Sequence, residues 1–108
     1  VLGERGLPNC SAYAASHGAI HNLIRASAQE FAPIGISVNG ISLGWMDWMD
    51  DRIDKTDPEA NRAIRFTILK REGQANEIGP LAVWLSGSAA GFVTGQIYPV
   101  DGGLTQHL

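Results

Sequence analysis

Tyr13 and His17 are the residues whose types and spacing could do chemistry in this chain. In a helix they would lie one turn apart and face the same way. A phenol and a basic group held so close could share a proton, and the two could bind a ligand jointly. The residues around them are small, which leaves room for a flat group beside the ring and favours a binding turn. The alternative is that both are ordinary helix residues.

A second candidate is the segment of residues 45–51, which mixes tryptophan and methionine with aspartate and has no clear period. It could be a flexible lid over an apolar substrate, because such side chains adapt to the shape they cover. It could equally be an amphipathic turn that caps the core. His17 and His21 also have a spacing used by metal sites, but no third ligand lies nearby. We therefore expect no metal site, and we expect His21 to be exposed.

The elements that must position these residues follow from periodicity and stop signals. Asn9 or Ser11 can cap a first helix, and Pro33 and Gly35 end it. Pro80 must fall in the first turns of the last helix, because deeper in a helix it would clash. The predicted elements are a helix over residues 12–32, a strand over 36–41 ended by a turn at 42–44, a helix from 56 to about 69, a helix within 75–85 and a strand over 96–100. Two strands joined through helices predict a parallel pair with a right-handed crossover.

Three segments, in this order, resemble the short-chain dehydrogenases/reductases. YAASHGA (residues 13–19) resembles the Tyr-x-x-x-Lys helix of that family. GISVNGISLGW (35–45) is similar to its sixth strand and the Pro-Gly turn, and VTGQIYPVDGG (93–103) to its final strand and Asp-Gly-Gly ending. The resemblance implies an α/β fold, the C-terminal part of a doubly wound Rossmann-type parallel sheet that lacks the N-terminal nucleotide-binding half. Residues 1–108 would form a single partial domain, the half with the catalytic helix and the substrate lid.

The resemblance also implies roles for particular residues. Tyr13 would be the general acid/base of an NAD- or NADP-dependent oxidoreductase that acts on a small-molecule alcohol/carbonyl substrate, and His17 would stand where the family has Lys. The implied catalytic residues are Tyr13 and His17. The implied cofactor contacts are Tyr13, His17, Leu43, Gly44, Trp45 and Met46. The implied substrate lid consists of Trp45, Met46, Trp48 and Met49.

The chain departs from the family pattern at several positions. His17 replaces the Lys that stabilises phenolate, and an imidazole is mostly neutral near pH 7. Leu43 stands where many members have Pro, and Trp48 where they have Thr. The glycine-rich phosphate turn and the catalytic Ser would lie before Tyr13, the Ser at or just before Val1. We therefore expect this chain to be impaired or incomplete as an enzyme. The alternative is a non-catalytic remnant that acts as an oligomerisation or binding module.

Composition narrows the possible partners and the compartment. The 108 residues carry a net charge of −3 with no run of Lys or Arg, so we expect no nucleic-acid partner. No apolar run is long enough for a bilayer, and the single cysteine, Cys10, suits a reducing cytoplasm. The helix around Ile20, Ile24 and Phe31 and the one ending at Leu85 carry more apolar surface than two strands can cover. We expect a homo-oligomer, or the N-terminal half of the same enzyme, to cover it.

Overall fold

Four regular elements carry the residues of interest in the computed structural model, which describes residues 3–52 and 64–106. They are helix α1 (Ser11–Phe31), strand β1 (Gly40–Leu43), helix α2 (Gly79–Leu85) and strand β2 (Ile97–Val100). The helix predicted from residue 56 lies mostly outside the described residues, although residues 64–66 are helical. The order of these four elements agrees with the predicted order helix, strand, helix, helix, strand, in which the second helix is the one that lies mostly outside the described residues.

Helix α1 ends where the stop signals place it, but its start differs from the prediction. Pro33 lies in a 3-10 turn, Ala32–Ile34, and Gly35 then takes the left-handed conformation with φ 80°. At the other end the capping position belongs to Cys10, and no side chain caps the helix. Asn9 itself adopts φ 65° to turn the chain, and Ser11 is already helical. The prediction of a cap by either residue was wrong.

The two strands pair in parallel, as predicted, with Gly40 opposite Ile97 and Leu43 opposite Val100. The predicted bounds of β1, residues 36–41, were wrong. Before the ladder begins, the chain is held by side chains: Asn39 Nδ2 donates to the Val93 carbonyl oxygen (2.9 Å), and Gln96 N donates to Asn39 Oδ1 (3.1 Å). The strand starts only at Gly40 and runs through the predicted turn to Leu43.

Helix α2 confirms the predicted position of Pro80, which lies in the first turn. The preceding residues form a separate 3-10 turn, Ala75–Glu77, closed by reciprocal hydrogen bonds between Gln74 and Glu77. Arg71 adds two hydrogen bonds to the same carboxylate, at 2.6 and 2.8 Å. The Arg71 guanidinium, helped by the Gln74 backbone N–H, lowers the pKa of Glu77 to about 2. The carboxylate therefore stays ionised while it holds this turn before α2.

The apolar side of α1 is only partly covered by the described residues. Ile24 packs on β1, where a Cβ built on Gly40 would lie 2.5 Å from Ile24 Cδ1. Ile20, Leu23 and Phe31 remain exposed, with Leu23 at 63%. This is the excess of apolar surface that the sequence predicts, and the two-stranded sheet leaves it open.

Candidate functional site

The structure brings Tyr13 and His17 together as a stacked pair on the first turns of α1. Their ring centroids are 3.9 Å apart and the planes differ by 20°. Tyr13 is 53% exposed and His17 is half-buried. In such a stack the imidazole nitrogen lone pairs lie in a plane nearly parallel to the phenol ring. His17 can therefore act on the phenol only through the face of its ring.

Hydrogen bonds fix the imidazole against the helix backbone. His17 Nδ1 lies 3.0 Å from the carbonyl oxygen of Tyr13. Ser16 Oγ lies 2.8 Å from the same oxygen and 3.2 Å from His17 Nδ1. Both side chains thus bond within one turn of their own helix, which holds the ring in its stacked orientation.

The loop before α1 packs closely against this turn. A Cβ built on Gly3 would lie 3.0 Å from the backbone C and O of His17. Next to it, Glu4 Oε1 lies 3.8 Å from Nδ1 of His21, whose side chain is only 12% exposed. The expectation that His21 is exposed was wrong, because this loop covers it. Among residues 3–52 and 64–106, no cluster of three His, Cys, Asp or Glu could hold a metal ion.

Gly44 forms the turn at the carboxyl end of β1, the place where open α/β sheets bind ligands. Its N–H donates to the carbonyl oxygen of Val100 at 2.9 Å, while Leu43 ends the strand half-buried. A Cβ on Gly44 would lie 2.5 Å from Asp101 Cα and 2.9 Å from its carbonyl oxygen. The two strand ends therefore meet through backbone alone, and only glycine fits.

Asp101, which follows β2 in the Asp-Gly-Gly segment, is buried, and no role was predicted for it from the sequence. Its carboxylate accepts hydrogen bonds from Gly103 N (2.8 Å), Thr105 N (2.9 Å) and Thr105 Oγ1 (2.7 Å). The Thr105 carbonyl oxygen in turn accepts a hydrogen bond from Arg5, in the loop before α1. Asp101 therefore orders the turn that supports Gly44. An Asp followed by two glycines and a Thr four positions on was the available signal, since Asp side chains bond the backbone just beyond them.

Burial opposes ionisation of the Asp101 carboxyl, but its hydrogen bonds from Thr105 and Gly103 outweigh this, so its pKa lies below the ordinary value. A carboxyl with a lowered folded-state pKa stabilises the fold above its unfolded pKa, about 3.9, and loses that contribution as pH falls through the folded value. We expect the free energy of unfolding to fall below about pH 4 partly for this reason. Asp101→Asn should cost about 1–3 kcal/mol at neutral pH.

That difference between the native protein and Asp101→Asn should shrink on acidification, as measured by urea unfolding at several pH values. Asp47→Asn, at an exposed position, is the matched control and should change little. A difference that stayed constant down to the acid limit would contradict the role assigned to the carboxylate.

The segment of the predicted lid divides into an anchored part and an exposed part. Met46 is 1% exposed and pairs with Gly73 in a parallel bridge. In this bridge Gly73 N donates to the Trp45 carbonyl oxygen (2.9 Å), and Asp47 N donates to the Gly73 carbonyl oxygen (3.0 Å). A Cβ on Gly73 would lie 2.5 Å from Met46 Sδ. In the following 3-10 turn, Asp47–Arg52, Trp48 is 47% exposed. Any lid movement must therefore begin beyond Asp47.

A cavity of about 80 Å³ lies beside the anchored part. Trp45 and Met46 line one side of it, and Asp101 and the Arg71–Glu77 ion pair line others. Met49 is half-buried in the adjoining turn.

The structure brings the candidate residues together in three pairs: Tyr13 with His17, Gly44 with Asp101, and Met46 with Gly73. Hydrogen bonds hold each pair in place.

Comparison with known proteins identifies the family of this chain. The family model described as Enoyl-(Acyl carrier protein) reductase matches residues 1–105. A solved gluconate 5-dehydrogenase from Burkholderia cenocepacia, in complex with NADP and tartrate, superimposes with a TM-score of 0.89 at 31% identity over 99% of the chain. The chain belongs to the short-chain dehydrogenase/reductase family. The predicted family and the Rossmann-type α/β fold class are confirmed.

Two curated members of this oxidoreductase family give the same result. Glucose 1-dehydrogenase from Gluconobacter oxydans is 37% identical over 105 residues, which cover 91% of the chain. Gluconate 5-dehydrogenase from the same organism is 33% identical over 109 residues and 100% of the chain. The chain spans about two fifths of its relatives' length: 37% and 43% of these two, and 42% of the solved structure.

The helices within residues 3–52 and 64–106 include none with the length and apolar character of a membrane span.

Proposed function

We propose that this chain forms the catalytic-helix part of an NAD- or NADP-dependent oxidoreductase that interconverts an alcohol and a carbonyl on a small polyhydroxylated substrate. The observation that carries the proposal is the Tyr13–His17 stack, with a half-exposed phenol on a turn of small residues. Relatives named for glucose and gluconate suggest a sugar or sugar acid as the substrate class. The single described cysteine, Cys10, is free, which suits an enzyme of the reducing cytoplasm.

The residues present fit the nicotinamide end of such a cofactor. Tyr13 and His17 offer polar groups at an exposed helix surface, and Leu43, Gly44 and Trp45 form the sheet edge where ligands of this architecture bind. Neither G-x-G-x-x-G nor G-x-x-x-x-G-K-[ST] occurs in residues 1–108, so the pyrophosphate would need donors from elsewhere in the protein. A bound nicotinamide would accept or supply the hydride.

Tyr13 would move the proton that accompanies the hydride. In the oxidation direction the Tyr13 phenolate would take the proton from the substrate hydroxyl while the hydride leaves the same carbon, and a carbonyl forms. In reduction the Tyr13 hydroxyl would give its proton to the oxygen. His17 would hold a ligand hydroxyl and, when protonated, would favour the phenolate from the stacked position. Beyond Asp47, the exposed Trp48 would close over the substrate.

The test is calorimetric titration of the intact protein with NADH and with NADPH, followed by an assay of cofactor reduction on a panel of sugars and sugar acids. Saturable binding of one cofactor, with turnover on part of the panel, is the expected result. Binding of neither cofactor by a well-folded protein would contradict the proposal.

A non-catalytic role is the second candidate, because His17 replaces the family Lys and apolar residues stay exposed. Ile20 and Leu23 of α1 and Val83 of α2 are among the exposed apolar side chains. A remnant of this family could use these surfaces to bind a second copy or the N-terminal half of the same enzyme. Sedimentation measures self-association, and the titration measures cofactor binding. Self-association without cofactor binding would favour the non-catalytic role.

His17→Lys should raise turnover of the intact enzyme near neutral pH by about three- to tenfold, because an ammonium beside a phenol stabilises phenolate more than a neutral imidazole does. The measurement is turnover at saturating substrate and cofactor. Asn22→Lys, at an exposed position of the same helix, adds the same charge away from Tyr13 and should leave turnover unchanged. Lower or equal turnover in a folded His17→Lys enzyme would show that His17 is not a weaker substitute for Lys.

A further inference from the structure

On the Nδ1 side of His17, one arrangement of hydrogens satisfies all three contacts. A carbonyl oxygen can only accept, so each nitrogen or hydroxyl within hydrogen-bond distance of the Tyr13 oxygen must direct a hydrogen at it. Nδ1 lies 3.0 Å and Ser16 Oγ 2.8 Å from that oxygen. Nδ1 therefore carries a proton, and the Ser16 hydroxyl points to the carbonyl. The tautomer of a histidine is assigned from its hydrogen-bond network, and these two distances assign the proton to Nδ1.

Ser16 completes this arrangement. With its own hydrogen directed at the Tyr13 carbonyl, Ser16 Oγ presents a lone pair to His17 Nδ1 at 3.2 Å. The Nδ1–H is then shared between two acceptors. If the proton sat on Nε2 instead, the Nδ1 lone pair would face the carbonyl lone pairs at 3.0 Å with nothing between them. The Ser16 hydroxyl could relieve this only by turning away from its 2.8 Å bond.

We propose that Ser16 is a positioning residue that holds His17 as the Nδ1–H tautomer and thereby makes Nε2 a hydrogen-bond acceptor toward the ligand. A lysine ammonium offers three donors and no acceptor, whereas a neutral imidazole held this way offers one acceptor at its free edge. This position therefore presents a hydrogen-bond acceptor to the ligand, where Lys would present donors. The ligand must therefore supply a hydrogen-bond donor, such as a hydroxyl.

The identity of that hydroxyl rests on the proposed function, in which it belongs to the cofactor or to the polyhydroxylated substrate. The stack on Tyr13 keeps the imidazole plane fixed, so Nε2 presents its lone pair in one direction. The assignment of the tautomer does not rest on the proposed function, because it follows from contacts inside α1.

The test is nitrogen NMR of the intact protein with labelled histidine rings, at about pH 8, where imidazoles are neutral. The His17 signals, identified by their loss in His17→Gln, should show a protonated Nδ1 and a bare Nε2. Ser16→Ala should shift part of the population toward Nε2–H, because one of the two acceptors of Nδ1–H is lost while the Tyr13 carbonyl oxygen remains; Ser16→Thr, which keeps the hydroxyl, should restore the native pattern. Ser86→Ala removes a similar bond, from Ser86 Oγ to the Ala82 carbonyl oxygen (2.7 Å), and should leave the His17 signals unchanged.

An Nε2–H pattern in the native protein would overturn the proposal, and so would His17 signals that Ser16→Ala leaves unmoved. Ser16→Ala should also weaken cofactor binding about fivefold, the effect of losing one neutral hydrogen bond. A protein that shows the Nδ1–H pattern but binds neither NADH nor NADPH would contradict the proposed function and leave the tautomer assignment standing.

Discussion

Replacing Tyr13 with Phe is expected to lower turnover of the intact enzyme by about 10²–10⁴-fold, the usual contribution of a positioned acid/base group. The substitution removes the hydroxyl alone. The phenyl ring can still stack on His17, which lies 3.9 Å away between centroids, so the helix turn should keep its shape. The loss should therefore appear chiefly in turnover at saturating substrate, with a much smaller loss of cofactor affinity from the missing hydroxyl contact.

The matched control is Tyr98→Phe. Tyr98 is the other tyrosine of the chain and lies half-buried on β2, opposite Ile41. It should keep turnover within about twofold, since it has no place in the proposed proton transfer. Equal losses in the two variants, or a Tyr13→Phe enzyme as fast as the native one, would remove Tyr13 from the chemistry and favour the non-catalytic role.

Gly44→Ala, just beyond the end of β1, should be strongly destabilising for a change of a single methyl group. The new Cβ would lie 2.5 Å from Asp101 Cα and 2.9 Å from its carbonyl oxygen, so backbone rather than a flexible side chain would have to move. Overpacking of this kind costs about 1–3 kcal/mol, and a backbone neighbour places the change at the upper end. The displaced turn should also weaken cofactor binding, because Gly44 lies at the carboxyl end of β1.

Gly79→Ala is the control for this change. A Cβ on Gly79, the first residue of α2, meets nothing within 4 Å. Alanine there should be neutral or stabilise by up to about 1 kcal/mol, because it reduces the freedom of the unfolded chain. Urea unfolding of both variants measures the contrast. Equal midpoints for the Gly44 and Gly79 variants would show that the two strand ends are not packed as described.

The sequence predicts elements well where one residue determines the outcome. Proline is excluded from the interior of a helix and glycine favours the left-handed turn after one, and α1 ends beside Pro33 and Gly35. The bounds of β1 could not be predicted, because they depend on Asn39 bonding Val93, more than fifty residues away. The capping residue of α1 was also missed, since the left-handed turn at Asn9 removes its side chain from that position.

Within the candidate site, spacing predicts proximity but not the orientation of groups. Four residues on a helix suffice to bring Tyr13 and His17 together, and the stack agrees with this. The hydrogen bonds of Ser16 and His17 depend on side-chain rotamers, which no pattern in the sequence specifies. The role of Asp101 was hidden for a similar reason, because its partners become apparent only when the turn to Thr105 is folded. The cofactor contacts and the lid stay predictions.

The parallel pairing of β1 with β2 has a consequence for the order of folding during synthesis. Gly40 cannot meet Ile97 until the intervening chain has been made, which takes about 3–11 s at typical rates of 5–20 residues/s. Helix α1, whose backbone hydrogen bonds are local, can form in about a microsecond. In that interval the side of β1 that will receive β2 is an open strand edge, able to pair with a foreign strand. Helix α1 is therefore made well before the sheet beside it can close.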